Sequence, residues 1–164
     1  MPEYVGSMLG ASNSVTREYP VASGVTVTDG DFVRLDAAGR VSSATIGTGR
    51  LLGVVMGGPS NKLVSLTNVS IATGDAGGTV SVLVNIEVDC RYLIKCDNIT
   101  NTLREASQGR YYNLIGATGA QLVSGASESV TVGQLICIQF NPGIRGTDTT
   151  YGLFAVAQEQ ISLG

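Results

Sequence analysis

The chain has 164 residues, of which 14% are charged, and its formal net charge is −3 at pH 7. This length suits one domain with a substantial core and leaves little room for two. Two lysines and eight scattered arginines provide no basic stripe that could neutralise nucleic-acid phosphates. Nucleic-acid binding is therefore not expected.

Glycine accounts for 22 residues, nearly twice its usual share of about 7%. This abundance is typical of a β protein with many turns, although a surface so poor in charge is also explained by burial in an assembly. No segment is apolar over the ~20 residues that a membrane-spanning helix needs. The N-terminus lacks the basic region and apolar core of a secretory signal, so we expect a protein used without secretion or membrane insertion.

Residues 1–20 are rich in Ser, Asn and Gly and show no sustained hydrophobic period. We interpret them as an N-terminal arm, and residues 21–164 as a single β-rich domain. Two interpretations of the arm stay open: ordinary terminal disorder, or a segment that becomes ordered on a neighbouring molecule. In the second case its apolar side chains would be the contact residues. These candidates are Tyr4, Val5, Met8, Leu9 and Tyr19.

The start of the proposed domain alternates short β-branched runs with turn-forming residues. Val25 and Val27 share one face of a predicted first strand. Asp29-Gly30 then predicts a two-residue hairpin turn, from which a second strand returns over residues 32–35.

A second and longer turn is predicted at residues 36–39, where Gly39 is available for a left-handed conformation. Residues 40–45 would then pair back as a strand. The apolar run over residues 51–56 predicts a buried strand.

Every even position from residue 80 to residue 96 is apolar or amphipathic, and the odd positions are mostly polar. This alternation predicts one long strand, or two strands around a corner, with one face in the core. The charged residues at odd positions would then lie on the solvated face and form no ionic site. They are Asp89, Arg91, Lys95 and Asp97.

The remainder of the chain continues the pattern of short strands and turns. Strands are predicted over residues 111–115, 121–124 and 134–140, and turns at residues 116–119 and 141–143. Residues 98–108 are compatible with a short helix. Residues 151–163 are compatible with either a strand or one or two helical turns.

The sequence lacks the residues of common reaction centres. It contains no histidine, the commonest general base and metal ligand, and no serine in a Gly-x-Ser-x-Gly motif. Asp29, Asp31 and Asp36 are the densest carboxylates, but they lack the pattern of a calcium-binding loop and are better explained as turn caps. We therefore expect no catalytic residue, no metal site and no cofactor.

The three cysteines, Cys90, Cys96 and Cys137, show no metal-ligand spacing. On one extended strand, Cys90 and Cys96 would be about 20 Å apart, beyond the ~7 Å that separates disulfide-linked Cα atoms. Buried free thiols in a reducing compartment are expected. The sequence leaves open a bridge from Cys137 to one of the other two.

An ordered pattern runs from Gly30-Asp31 and its strand, through Gly39-Arg40-Val41, to the apolar-Gly-Val-apolar run at residues 51–56. This pattern resembles the small capsid decoration, or cement, proteins of tailed bacteriophages. The match covers residues 24–57 well and residues 80–96 loosely. The resemblance implies an all-β fold, built as a small antiparallel β-barrel or β-tulip-like domain with an extended N-terminal arm.

The resemblance also implies a structural virion protein with no catalytic residues, made in the host cytoplasm and located on the capsid exterior. It would bind the major capsid protein as a homotrimer at local three-fold positions, with the arm reaching across capsomers. Two alternatives have other functions. One is a fibre, tail or carbohydrate-binding module of the virion, and the other is a lipoyl- or biotinyl-type carrier, for which Lys62 lacks the expected neighbours.

Overall fold

The computed structural model describes residues 3–7, 16–44, 50–57, 70–87, 90–97, 102–143 and 149–157. Within these ranges the chain consists of short strands and two 3₁₀-helical turns, Glu105–Ser107 and Gly125–Ser127. The predicted all-β fold class is confirmed. Neither of the described helical turns has the length or hydropathy to cross a membrane.

The strands form two five-stranded antiparallel sheets and two small ribbons. In spatial order, the first sheet contains β1 (Glu3–Ser7), β9 (Cys90–Lys95), β14 (Tyr151–Val156), β13 (Leu135–Phe140) and β10 (Tyr111–Tyr112). The second sheet contains β2 (Thr16–Pro20), β8 (Ser81–Asn85), β6 (Gly53–Gly57), β4 (Phe32–Leu35) and β5 (Val41–Ser43). The ribbons pair β3 (Thr26–Thr28) with β7 (Ser70–Thr73), and β11 (Leu114–Ile115) with β12 (Leu122–Val123).

Strands β4 and β6 of the second sheet have core residues on both faces, which explains the continuous apolar run at residues 51–56. Phe32 and Val54 face a core shared with the first sheet. Their neighbours Val33 and Val55 face a second core, which also contains residues of β3 and β8. Because successive side chains of a strand point to opposite faces, a strand with two covered faces needs apolar residues in succession.

The long alternation from residue 80 to residue 96 divides into β8 and β9, which belong to different sheets. Asn85 is fully buried at the end of β8. Its side-chain amide donates to the Sγ of Cys90 at 3.4 Å, and its Oδ1 accepts from the backbone N–H of Glu87 at 3.0 Å. The two-strand alternative is therefore confirmed, with a buried amide fixing the corner.

The predicted hairpin at Asp29-Gly30 is wrong in its pairing, although the turn itself is present. Gly30 has a φ of 84°, and the Asp31 N–H donates to the Thr28 carbonyl at 3.0 Å. However, β3 pairs with β7, whereas β4 pairs with β5 and β6. Local turn chemistry predicted the reversal of the chain, but burial of Val27 in the second core decides the partner of β3.

The structure shows what three other predicted elements are. The strand expected over residues 111–115 is two strands, β10 and β11, in different sheets. The C-terminal segment is a strand over Tyr151–Val156. The short helix considered for residues 98–108 is one 3₁₀ turn at Glu105–Ser107, and residues 98–101 lie outside the described part of the chain.

The segment interpreted as an arm contains two strands. β1 pairs with β9 at one edge of the first sheet, and β2 pairs with β8 at one edge of the second. Beyond β2, Val21 forms a parallel bridge with Val41 of β5, at the opposite edge of the second sheet. A single bridge is not a continuous ladder of strands, so the closed barrel stays a prediction.

Candidate functional site

The candidate contact residues of the arm do not lie together in one described site. Tyr4 and Val5 belong to β1, and Met8 and Leu9 lie outside the described residues. Tyr19, in β2, is half-buried and packs against the second core of its own chain. Its aromatic ring therefore supports the fold, and the role of the arm in contacts with other molecules stays a prediction.

Asp31 is the buried carboxylate of the chain segment that carries the family resemblance. Its side chain accepts hydrogen bonds from the backbone N–H groups of Thr28, at 3.0 Å, and Gly119, at 2.8 Å. Burial raises the pKa of the Asp31 carboxyl, and these hydrogen bonds oppose the shift. The carboxylate joins the β3–β4 turn to the β11–β12 hairpin, which is a structural role.

The neighbouring carboxylates are also used in turns. Asp36 accepts hydrogen bonds from the backbone N–H groups of Ala38, at 2.9 Å, and Arg40, at 2.8 Å. Burial raises the pKa of the Asp29 carboxyl, and a hydrogen bond from the Gly30 backbone opposes the shift. Over the described ranges, no group of three His, Cys, Asp or Glu side chains is placed to hold a metal ion. The interpretation of these residues as turn caps is confirmed for Asp31 and Asp36.

All three cysteines are buried thiols that form no disulfide, as expected. Cys96 follows β9 and Cys137 lies in β13, and β14 runs between these two strands. Two strand spacings amount to about 9.6 Å, which exceeds the Cα separation of a disulfide. Burial raises the pKa of the Cys137 thiol to about 12, so this group is a poor nucleophile at neutral pH.

A polar cluster lies beside the first core. Arg104 and Glu128 form a bidentate ion pair, with both N–O distances at 2.9 Å. Burial raises the pKa of the nearby Tyr112 hydroxyl to about 12, and the charge of Glu128 adds to the shift. A hydroxyl that keeps its proton and a carboxylate already neutralised by arginine offer no acid–base pair for catalysis near pH 7.

Residues 129–133, here called the valine loop, expose two β-branched side chains beside β10. Val130 is 63% exposed and Val132 is 64% exposed. Ser129 is joined to β10 by two backbone hydrogen bonds of 2.8 and 2.9 Å. The Ser129 hydroxyl also accepts from the backbone N–H groups of Thr131 and Val132, each at 3.2 Å. Fixed backbone contacts therefore hold both valines in solvent.

The valine loop lies against β10, the edge strand of the first sheet. At Gly133 a Cβ atom would lie 2.7 Å from the Tyr112 nitrogen and 2.8 Å from the Tyr111 Cβ, so the loop packs directly on β10. Tyr111 pairs with Ile136 of β13, and Ile138 further along that strand is 38% exposed. We call this group the apolar edge surface. It comprises Tyr111, Val130, Val132, Ile136 and Ile138.

Sequence analysis did not single out the apolar edge surface. One available signal was the absence of any charged residue between Glu128 and Arg145. A second was the alternation at Val130 and Val132, which resembles that of an ordinary half-buried strand. Only the fold shows that these two side chains face solvent and not the core.

No protein-family model matches the sequence, and the search of curated proteins found no match.

Proposed function

We propose that this chain is a structural protein of a bacteriophage virion, which binds the outer surface of the capsid and stabilises the head. It would do so as a homotrimer that bridges neighbouring capsomers through contacts with the major capsid protein. The proposal takes its class from the resemblance over residues 24–57. It is a binding function, without catalysis.

One structural observation carries the choice of binding over catalysis. The buried ionisable side chains described above are used to hold the fold together, while apolar side chains are held rigidly at the surface. Asp31 joins two turns, and Cys137 is a protonated thiol in the core. Val130 and Val132 are exposed on a loop fixed by Ser129. A rigid surface loses little conformational entropy on binding, which favours affinity.

Repetition would make weak contacts with the shell sufficient for stable attachment, whichever surface of each copy makes them. In a symmetric oligomer each contact with the shell occurs once per copy, and linked weak contacts give a much higher overall affinity than any one of them. A trimer that contacts several capsomers would resist their separation when packaged DNA presses outward.

The test is to add the purified protein to heads of its phage that lack the decoration. We expect saturable binding and a higher temperature of head disruption, with previously decorated heads as the control that binds no more. Images of labelled particles should show the protein on the shell. No binding and no change in disruption temperature would refute the proposal, and binding confined to tails or glycans would favour the fibre or carbohydrate-binding alternative.

A further inference from the structure

We infer that the apolar edge surface is the interface through which copies of this chain associate. The inference rests on the self-association that the proposed function includes, but it does not require capsid binding. Its occupant is the equivalent surface of a second copy, packed around a symmetry axis.

The first argument is that the apolar residues lie on adjacent backbone segments and that the valine loop is fixed by hydrogen bonds. Ser129 pairs with Tyr111, and Tyr111 pairs with Ile136, so three adjacent backbone segments carry the surface. Val130 and Val132 have the largest exposed fractions among the large apolar side chains of the described residues. Single exposed apolar residues are ordinary, whereas a contiguous group of them is typical of a contact surface.

The second argument is charge. Two equivalent surfaces that meet at a symmetry axis bring identical charges together, so a surface for self-association is favoured when it carries none. Residues 129–144 contain no charged side chain. At the near end of this segment, Glu128 is neutralised by Arg104.

The third argument concerns the kind of contact. At this edge the Ser129 hydroxyl accepts from the N–H groups of Thr131 and Val132. These donors are thus already engaged, so the edge is poorly suited to the addition of a strand from another molecule. The contact is therefore made by packing of side chains, as in the apolar centre of an oligomer interface.

The experiment measures the mass of the full chain by light scattering and sedimentation over a range of concentrations. We expect the wild type to have the mass of two or more copies. V130D/V132D should weaken association at least a hundredfold, because a charge buried at the interface would be unpaired. M56D is the matched control, since Met56 is 39% exposed on the second sheet, and it should leave the mass unchanged.

Circular dichroism and thermal unfolding establish that each variant is folded. If V130D/V132D does not fold, the milder V130S/V132S replaces it in the mass measurements. This variant should also weaken association. A monomeric wild type, or valine variants that keep the wild-type mass, would overturn the inference. An oligomer that is disrupted by the valine substitutions upholds the interface even if the protein fails to bind heads, so the two proposals are tested separately.

Discussion

The side-chain amide of Gln121 pairs with the backbone of Phe32 in both directions. The Phe32 N–H donates to Oε1 at 2.6 Å, and Nε2 donates to the Phe32 carbonyl at 2.9 Å. Both residues are fully buried. One amide thus supplies an acceptor for the Phe32 N–H and a second donor to the Phe32 carbonyl, which also accepts from the Ala44 N–H at 3.0 Å. It attaches the β11–β12 hairpin to β4.

Substitution Gln121→Ala should destabilise the fold, because the buried N–H of Phe32 would lose its partner, whereas the Phe32 carbonyl would keep the N–H of Ala44 at 3.0 Å. A buried unsatisfied N–H costs about 1–3 kcal/mol, so we expect a loss of roughly 1–3 kcal/mol in the free energy of unfolding. Urea denaturation measures this loss. Gln139→Ala is the control, since Gln139 is exposed on β13 and its removal should change stability by less than about 0.5 kcal/mol. Equal effects of the two substitutions would contradict the bridging role of Gln121.

The buried carboxyl of Asp31 should make stability depend on pH in the acid range. Burial raises its pKa above the value of 3.8 that is normal for aspartate. In the window between the unfolded and the folded pKa, the folded state binds more protons than the unfolded state. The Asp31 carboxyl therefore stabilises the fold at pH values below its unfolded pKa, and this stabilisation is lost as the pH rises through its folded pKa.

The comparison that isolates this effect is wild type against Asp31→Asn, with the free energy of unfolding measured by urea denaturation from pH 3 to pH 7. The advantage of the wild type over the variant should be larger at pH 3 than at pH 7. NMR titration of the Asp31 carboxyl carbon should give a midpoint above 3.8. An advantage that instead grows with pH would show that the carboxylate is stabilised in its charged form.

The Cys137 thiol should resist alkylation in the folded protein. Its pKa rises from 9.0 to about 12, which lowers the thiolate fraction at pH 8 by about a thousandfold. Iodoacetamide at pH 8 should leave Cys137 unmodified until urea unfolds the chain, as followed by mass spectrometry of its peptide. Unfolded protein is the control for full reactivity. Labelling of the native protein at the rate of a free thiol would contradict the buried, protonated state.

Two truncations should separate the contributions of β1 and β2. Removal of residues 1–7 deletes an edge strand of the first sheet and leaves Tyr19 on the second core. Removal of residues 1–20 deletes β2 as well, and with it the packing of Tyr19 on the second core. The free energy of unfolding should therefore fall by about 2 kcal/mol more than in the shorter truncation. Urea denaturation of both variants tests this difference. Equal stabilities would show that β2 contributes little to the fold.

The shorter truncation is also the better test of the arm in capsid binding. Because it retains β2, weaker binding to heads would be due to the loss of β1 and not to damage to the second core. Unchanged affinity would show that residues 1–7 make no contact with the shell.

Local features of this chain could be predicted from the sequence because their causes are local. Alternation over residues 80–96 reflects strands with one core face, and Asp36 with Gly39 forms a turn through its own backbone. The buried state of the three cysteine thiols, without a disulfide, follows similarly from spacing and residue type. The class of function rests on a resemblance, and its test lies in the experiments on phage heads.

The pairing of strands and the exposure of side chains were decided by the tertiary structure alone. β3 pairs with β7 and not with β4 as predicted, because Val27 is buried in the second core, which is formed by residues distant in sequence. Gln121 reaches Phe32 across 89 positions of the chain. Val130 and Val132 follow the pattern of a core strand, yet the pairing of Ser129 with β10 leaves them in solvent. Periodicity specifies which residues share a face, whereas only packing between distant segments determines what covers that face.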